Sequence, residues 1–282
     1  MIKTEKIYYD DRRFPDRLRH IFNPPECLYF RGDISILDTP SVASVGSRNA
    51  SEYGRRVALE IGKTSALFGV TLISGMAKGI DGYSHTGALD FGGKTIAVLG
   101  TGCDICYPKE NAALYSAISE RGLIISEYPD GTGPAKYTFP MRNRIISALS
   151  KAVIVCEAEI SSGSMITAEL AIEQGKEVFA VPGNIFSPLS LGTNKLISDG
   201  ARPVFTVPEI FRELGFERIK EEIIIDGKER YIYETVRAHG ELSLKDLSRM
   251  CRLSETIVKN AVSHLEMKGF LSYYMGKVLI AK

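Results

Sequence analysis

FPMRNRIISALSKAVIVCEAEISSGSMITAE, residues 139–169, is the stretch that decides the fold of this chain. We interpret its start as a basic turn followed by a helix, its middle (152–156) as a buried apolar strand, and its end as a polar loop that opens another helix. The loop, residues 161–167, is a candidate anion site because backbone N–H groups and the positive end of a helix dipole point the same way there. We therefore expect a ligand that carries phosphate.

The same strand-and-helix unit recurs along the chain. After the first strand, Tyr53, Val57, Ile61 and Phe68 follow helical spacing, and Gly69 is the expected stop. The predicted strands are 42–45, 70–73, 94–99, 123–125, 152–156 and 177–181, with 204–205 as a candidate seventh. Continuous apolar strands separated by helices predict an α/β fold with a doubly wound, extended Rossmann-like parallel sheet. Ligands bind such sheets at the carboxyl ends of the strands.

Composition restricts the class of protein. The chain has 282 residues and is 44% hydrophobic, enough for one large domain and a small one. Its 35 basic residues against 34 acidic ones show no global basic character, so any positive surface must be local. An odd number of scattered cysteines, no signal peptide and no apolar run of about 20 residues indicate a soluble protein of the cytoplasm.

The pattern divides the chain into four segments. Residues 1–40 form an N-terminal extension packed on the core, 41–216 the Rossmann-like domain, 217–229 a charged linker, and 230–282 a small domain.

Three helices followed by a hairpin predict a winged helix for the small domain. Its third helix offers Lys259 and His264 but no arginine and no Gln-Asn cluster for base edges, so DNA binding and protein docking both stay open. From 228 to 282 there are ten Lys or Arg and six Asp or Glu, a net charge of +4 that leaves the remainder near −3.

No cofactor or metal is predicted. The turn after the first strand, 46–50, lacks the Gly-x-Gly-x-x-Gly of dinucleotide sites, and the second strand ends at Ser74 without a carboxylate for a ribose. A Walker lysine loop is also missing. Cys103 and Cys106 form a lone Cys-x-x-Cys, which we interpret as two loop residues, and the four histidines are far apart in sequence.

The predicted strand ends instead combine hydroxyls, cations and rings. Serines 47, 74, 162 and 164 lie there with the cations Arg48, Lys78, Lys136, Arg142 and Arg144 and the aromatic residues Tyr128, Tyr137 and Phe139. Cations that hold a backbone and rings that stack bases are the two parts of a site for single-stranded nucleic acid. For Arg142 and Arg144 an alternative is open, since one of them could pair with Glu157 or Glu159.

Several motifs in one order resemble a known family. They are Gly46-Ser47-Arg48, residues 74–81 (SGMAKGID), Gly100-Thr101-Gly102 with Tyr107-Pro108 and Asn111, residues 139–146 (FPMRNRII), Ser162-Gly163-Ser164 and Val181-Pro182-Gly183. Together they resemble the bacterial DNA-processing protein A family, also called Smf, from about Tyr9 to the C-terminus. Many members carry an additional helical N-terminal module, for which the start of this chain leaves no room.

The resemblance implies a ligand and partners. It implies a non-catalytic Rossmann-like domain that binds single-stranded DNA, protects incoming strands in natural transformation, loads the RecA recombinase and forms homodimers. It places the phosphate-gripping arginine on Arg48, the pocket lysine on Lys136 and the base-contacting ring on Phe139. The DNA-binding residues predicted from the strand ends and the motifs together are Gly46, Ser47, Arg48, Ser74, Gly75, Lys136, Phe139, Arg142, Asn143, Ser162, Gly163 and Ser164.

Two other classes of function compete with this prediction. Residues 163–169 (GSMITAE) resemble the Gly-Thr-x-x-Glu loop of nucleotide-cleaving phosphoribohydrolases of the lysine-decarboxylase-like type. Those enzymes need a double glycine at the phosphate and a paired Arg and Glu, whereas Ser162 replaces one glycine here and no catalytic pair is evident. A transcription regulator driven by the winged helix is the third hypothesis, and the plain third helix weakens it.

Overall fold

A nine-stranded sheet runs through the first of the two units of the chain, which ends at Ile219. The computed structural model describes residues 3–219, 227–267 and 269–281. The strands are β1 (Glu5–Tyr8), β2 (Cys27–Gly32), β3 (Ser41–Val45), β4 (Thr71–Ser74), β5 (Thr95–Leu99), β6 (Leu123–Ser126), β7 (Ala152–Val155), β8 (Glu177–Ala180) and β9 (Arg202–Pro203).

Helices connect the strands and cover both faces of the sheet. They are α1 (Asp16–Arg19), α2 (Glu52–Leu67), α3 (Ile80–Asp90), α4 (Ala112–Arg121), α5 (Thr138–Leu149), α6 (Gly163–Glu173), α7 (Pro188–Ser198) and α8 (Val207–Glu213), with short 3₁₀ helices at Ile34–Asp38 and Lys109–Asn111. Separate hydrophobic clusters lie on the two faces. As the apolar runs predict, the strands β3 to β7 are fully buried.

The strand order is β1-β2-β6-β5-β4-β3-β7-β8-β9. Strands β3 to β9 are parallel, while β1 and β2 add two antiparallel strands beyond β6. The predicted N-terminal extension therefore contributes directly to the sheet. The chain moves outward from β3 in one direction through β6 and in the other from β7 onward, so the order reverses between β3 and β7. The predicted doubly wound α/β fold is confirmed.

Helix α2 shows how the local sequence sets these elements. The Ser51 hydroxyl accepts a hydrogen bond from the Gly54 N–H at the N-terminus, and Gly69, with φ of +63°, follows the last turn. On its inner face, a Cβ at Gly62 would collide with the Ser84 carbonyl of α3. This glycine allows α2 and α3 to pack with their backbones in close approach.

Three predicted boundaries are wrong. The basic turn predicted at the start of 139–169 lies inside α5, which begins at Thr138. Pro140 fits the first helical turn because the N–H there needs no partner within the helix. The polar loop 161–167 is mostly helix, since α6 begins at Gly163. The seventh predicted strand, 204–205, is instead the two-residue β9 at 202–203.

The second unit contains the predicted three helices and hairpin, with one more short strand. It comprises α9 (Gly227–His239), β10 (Leu242–Ser243), α10 (Leu244–Cys251), α11 (Glu255–Met267), β11 (Leu271–Tyr274) and β12 (Lys277–Ile280). The antiparallel sheet has the order β10-β12-β11, and the unit has its own buried cluster. The predicted linker falls mainly on residues 220–226, which lie outside the described residues. Among the helices described in the two units, none is long and apolar enough to cross a bilayer.

Candidate nucleic-acid interface

A cleft of about 640 Å³ opens at the carboxyl edge of the sheet, beside the ends of β3 and β7 where the strand order reverses. This is the position at which doubly wound sheets bind ligands. Ten of the twelve predicted site residues line it, namely Gly46, Ser47, Arg48, Lys136, Phe139, Arg142, Asn143, Ser162, Gly163 and Ser164. The structure thus brings together side chains from the loop after β3, the start of α5 and the start of α6.

An arginine and two aromatic rings are in contact in the cleft. The Arg48 guanidinium lies 5.5 Å from the centroid of the Phe139 ring, within range of a cation–π contact. The Tyr107 ring lies on Phe139 with centroids 5.6 Å apart and a tilt of 38°. Arg48 is exposed, and Tyr107 is 42% exposed. A charge and two rings are therefore available side by side to a ligand.

Tyr107 was absent from the residues predicted to bind DNA. The sequence feature that points to Tyr107 is the turn of small residues at the end of β5, residues 100–102, which Tyr107-Pro108 follows. Sequence alone does not show that the loop folds back over the start of α5. At Gly100 a Cβ would lie 3.0 Å from the Phe139 ring, so the absence of a side chain there gives that ring its space.

The N-terminus of α6 forms another part of the lining. Ser162 is the N-cap residue and its side chain makes no capping bond; its hydroxyl lies 2.6 Å from the Ser164 hydroxyl. The Asn143 amide donates to the Gly163 carbonyl at 3.2 Å and ties this helix start to α5. The Met165 N–H already donates to the Ser162 carbonyl at 3.0 Å. The N–H groups of Gly163 and Ser164, which have no partner within the helix, are the ones available to an anion in the cleft.

Arg142 lies at the base of the cleft and is only 5% exposed. Its Nη1 donates to the Gly75 carbonyl at 2.7 Å and to the Val98 carbonyl, and its Nε donates to Asn143 Oδ1 at 3.2 Å. Burial lowers the pKa of Arg142 to about 10, and the Asp81 carboxylate opposes that shift. Arg142 therefore stays charged at neutral pH and connects the ends of β4 and β5 to α5.

Asp81, the first-turn carboxylate of α3, is also buried beside the cleft. Its Oδ2 accepts from the backbone N–H groups of Gly75 at 3.1 Å and Ala77 at 3.3 Å. Burial raises the pKa of Asp81, while the Arg142 charge and these hydrogen bonds oppose the shift. Asp81 and Arg142 together brace the loop after β4 from two sides.

The open alternative, that Arg142 or Arg144 pairs with Glu157 or Glu159, is not what the structure shows. The Arg144 Nη2 is 2.5 Å from Glu127 Oε1, and Arg144 is buried and does not line the cleft. Helix α5 directs Arg144 toward Glu127, which follows the end of β6. Glu159 is an exposed residue of the cleft lining.

Glu157 instead closes the N-terminus of α2. Its carboxylate accepts from the Ser51 backbone N–H at 2.9 Å and from the Ser51 hydroxyl, and its carbonyl accepts from the Ser47 N–H at 2.8 Å. In dinucleotide-binding sheets the first helix N-terminus receives the pyrophosphate. A carboxylate of the protein occupies that position here, which supports the prediction that the site does not hold NAD.

Ser74 and Gly75 do not line the cleft. The Ser74 hydroxyl donates to the Ser44 carbonyl at 2.6 Å, and the two backbone groups of Gly75 bond to Asp81 and Arg142. Both residues therefore hold the end of β4 in place. Lys78 and Tyr137 are exposed but also lie outside the cleft lining.

The cleft lining contains groups capable of acid–base or nucleophilic chemistry, namely Asp81, Glu159, Lys136, Tyr107 and serine hydroxyls. Its described residues include carboxylates and serine hydroxyls but neither a histidine nor a cysteine. His85 is fully buried elsewhere, and burial lowers its pKa to about 3. Over the described ranges, no cluster of His, Cys, Asp or Glu is arranged to hold a metal ion.

Fold and cleft together define a class: doubly wound α/β proteins that hold a ligand at the switch point of the sheet, here among cations, hydroxyls and rings. Comparison with known proteins identifies the family. The family model for DNA recombination-mediator protein A matches residues 5–215, and the chain belongs to that family. The resemblance predicted from the sequence motifs is confirmed.

Curated relatives carry names that agree with the family. The chain is 42% identical over 209 residues to the DNA processing protein DprA of Bacillus subtilis, covering 74% of this chain and 70% of that protein. It is 44% identical over 208 residues to DprA of Streptococcus pneumoniae, covering 73% of each.

Solved structures agree as well. DNA processing protein A from Streptococcus pneumoniae superimposes with a TM-score of 0.72 at 42% identity, covering 76% of this chain and 75% of that one. The Helicobacter pylori protein superimposes with a TM-score of 0.70 at 31% identity, covering 77% of this chain and 98% of that one, and was described for its single-stranded DNA binding mode.

Proposed function

We propose that this chain binds single-stranded DNA in the cleft at the β3–β7 switch point and does not cleave it. The contacts of Arg48 and of Tyr107 with the Phe139 ring, beside the N-terminus of α6, carry the proposal. Arg48 and Lys136 supply charge for the backbone, and the rings supply faces on which bases stack at about 1–3 kcal/mol each. The N–H groups at the start of α6 supply a phosphate contact that needs no particular base.

Family membership supports the finer parts of the proposal. We infer that the protein protects incoming strands during natural transformation, loads the RecA recombinase onto them, and works as a homodimer through its first unit. Two clefts on one strand would raise affinity without any new contact. Light scattering of the full chain tests the dimer, and the rate of RecA filament growth on a strand with and without the protein tests loading.

We further infer that the second unit is a winged helix. The order α9, β10, α10, α11, β11, β12 and the three-stranded antiparallel sheet support this assignment.

A salt titration with matched variants tests the binding site. Binding of a short oligo-dT should weaken with salt, and Arg48→Ala and Lys136→Ala should each reduce the log-log slope by about 0.7, because each removes one phosphate contact. Lys78→Ala is the control, since Lys78 is an exposed cation near the same sheet edge but outside the cleft. Salt-independent binding, or equal losses in all three variants, would place the site elsewhere.

The competing phosphoribohydrolase hypothesis lacks its carboxylate. Glu169, the counterpart of the glutamate in the Gly-Thr-x-x-Glu loop, is exposed and does not line the cleft. We expect no adenine release when the protein is incubated with AMP and the products are separated chromatographically. Adenine release that Glu159→Gln abolishes would establish the enzyme instead.

A further inference from the structure

Helix α10 of the second unit carries a row of cations that the single-strand cleft does not use. Lys245 and Arg249, at i and i+4, lie on one face of α10, and Arg252 follows at i+7 as the C-cap residue of that helix. All three side chains are exposed, and none has an ion pair or a hydrogen bond with another described residue. Their charge is therefore available to a partner.

Three other basic side chains of this unit already have acidic neighbours. Arg237 lies 3.7 Å from Glu234, Lys277 lies 3.1 Å from Glu241, and His264 lies 2.5 Å from Glu229. On α10 itself, the carboxylate of Asp246 accepts from the Ser243 hydroxyl at 2.6 Å at the start of the helix. The charge of the row is thus not neutralised locally.

The position of α10 favours contact with a nucleic-acid backbone. Residues 252–254 join α10 to α11, and Arg252 occupies the turn with φ of +54°. In helix-turn-helix proteins the second helix reads bases and the first crosses the phosphate backbone. Here the first helix holds the cations, while α11 begins at Glu255 and carries Lys259 as its lysine among the described residues. Phosphate contacts position a protein on DNA without reading its sequence.

We propose that Lys245, Arg249 and Arg252 bind the phosphate backbone of duplex DNA without regard to sequence. The row extends from residue 245 to residue 252, with its last member in the turn after α10, and a duplex presents one negative charge per about 1.7 Å of its axis. A single-strand site would need aromatic rings among the cations. Helix α10 has no aromatic residue, and its exposed apolar side chain is Met250. This second DNA contact is separate from the proposed cleft.

The test compares two full-length triple variants with the same loss of charge. One carries Lys245→Gln, Arg249→Gln and Arg252→Gln; the control carries Arg237→Gln, Lys259→Gln and Lys277→Gln, which are exposed cations on α9, α11 and β12. Binding to blunt duplexes of two unrelated sequences is followed by fluorescence anisotropy across a salt series. For the α10 variant we expect the log-log slope to fall by about 2.7, or 0.9 for each lost contact, with both duplexes.

Several results would overturn the proposal: an unchanged slope for the α10 variant, an equal loss in the control, or a loss confined to one duplex sequence. So would a variant that binds duplexes normally but no longer binds polyglutamate, because the row would then be a docking site for acidic protein. Short oligo-dT is titrated in parallel. The α10 variant should bind it normally and Arg48→Ala should not, so failure of the α10 site and failure of the cleft are separately visible.

Discussion

Cations that sequence patterns treat alike have different environments in this structure. Arg48 is exposed on a ring, Arg142 is buried among carbonyls, and Arg144 is bound to a glutamate. The carbonyl partners of Arg142 belong to residues 67 and 44 positions away, so spacing along the chain could not reveal them. The sequence predicts where basic residues cluster. Burial in the structure then distinguishes the cations that are exposed for binding from those that stabilise the fold.

This difference predicts opposite phenotypes for two substitutions in one cleft. Arg142→Met should lower the free energy of unfolding by about 3–5 kcal/mol, because it leaves the buried Asp81 carboxylate without its compensating charge. Arg48→Met should change stability by no more than about 0.5 kcal/mol, since Arg48 is on the surface, while weakening DNA binding. Urea unfolding of both variants measures the contrast. Equal stabilities would show that Arg142 is a binding residue only.

At the scale of elements, apolar runs predicted the central strands within one or two residues. A short continuous apolar run bounded by turn residues is typical of a strand buried in a covered sheet. The start of α5 is missed by the sequence prediction because Pro140 is typical of a turn, although the first helical turn accepts proline. Among the predicted site residues, those after β3 and those at the start of α6 lie together in the cleft. Tyr107 is not among the predicted residues, because its position depends on the path of a loop that sequence periodicity does not reveal.

The N-terminus of α6 permits a substitution that removes one N–H group with little other change. Gly163 is the first helical residue, where proline is favoured; Ser162 before it has φ of −77° and ψ of 151°, and a Cβ at Gly163 meets nothing within 4 Å. Gly163→Pro should therefore keep the fold and weaken oligo-dT binding about tenfold, or about 1.4 kcal/mol.

Gly163→Ala is the matched control, because it adds a Cβ and keeps the N–H. We expect it to bind oligo-dT like the wild type in the same anisotropy titration. Equal affinities for the proline and alanine variants would show that phosphate does not lie on this helix end.

At the scale of the whole molecule, the net charge of +1 gives no indication of the two groups of cations, one in the cleft of the first unit and one at α10 in the second. The family match ends at residue 215, within the first unit, so the cleft lies inside the matched region and the α10 row lies outside it. The excess of +4 counted over residues 228–282 indicated a local partner surface, but only the structure shows that Lys245, Arg249 and Arg252 lie together at α10 as exposed cations without an ion pair to another described residue.

Each unit has its own buried core, which predicts that the first folds and binds alone. A chain that ends at Ile219 keeps the hydrogen bond from the Ile219 N–H to the Leu67 carbonyl at the end of α2. We expect this chain to unfold within about 2 °C of the corresponding transition in the full chain, because no cluster of the first unit loses a member. Calorimetry measures the two transitions.

Titration of the truncated chain with short oligo-dT should give an affinity within about twofold of that of the full chain. A twofold difference corresponds to about 0.4 kcal/mol, which is the largest contribution of the second unit that this prediction allows. A large loss of oligo-dT affinity in a normally folded truncated chain would move the principal DNA contact out of the cleft and into the second unit.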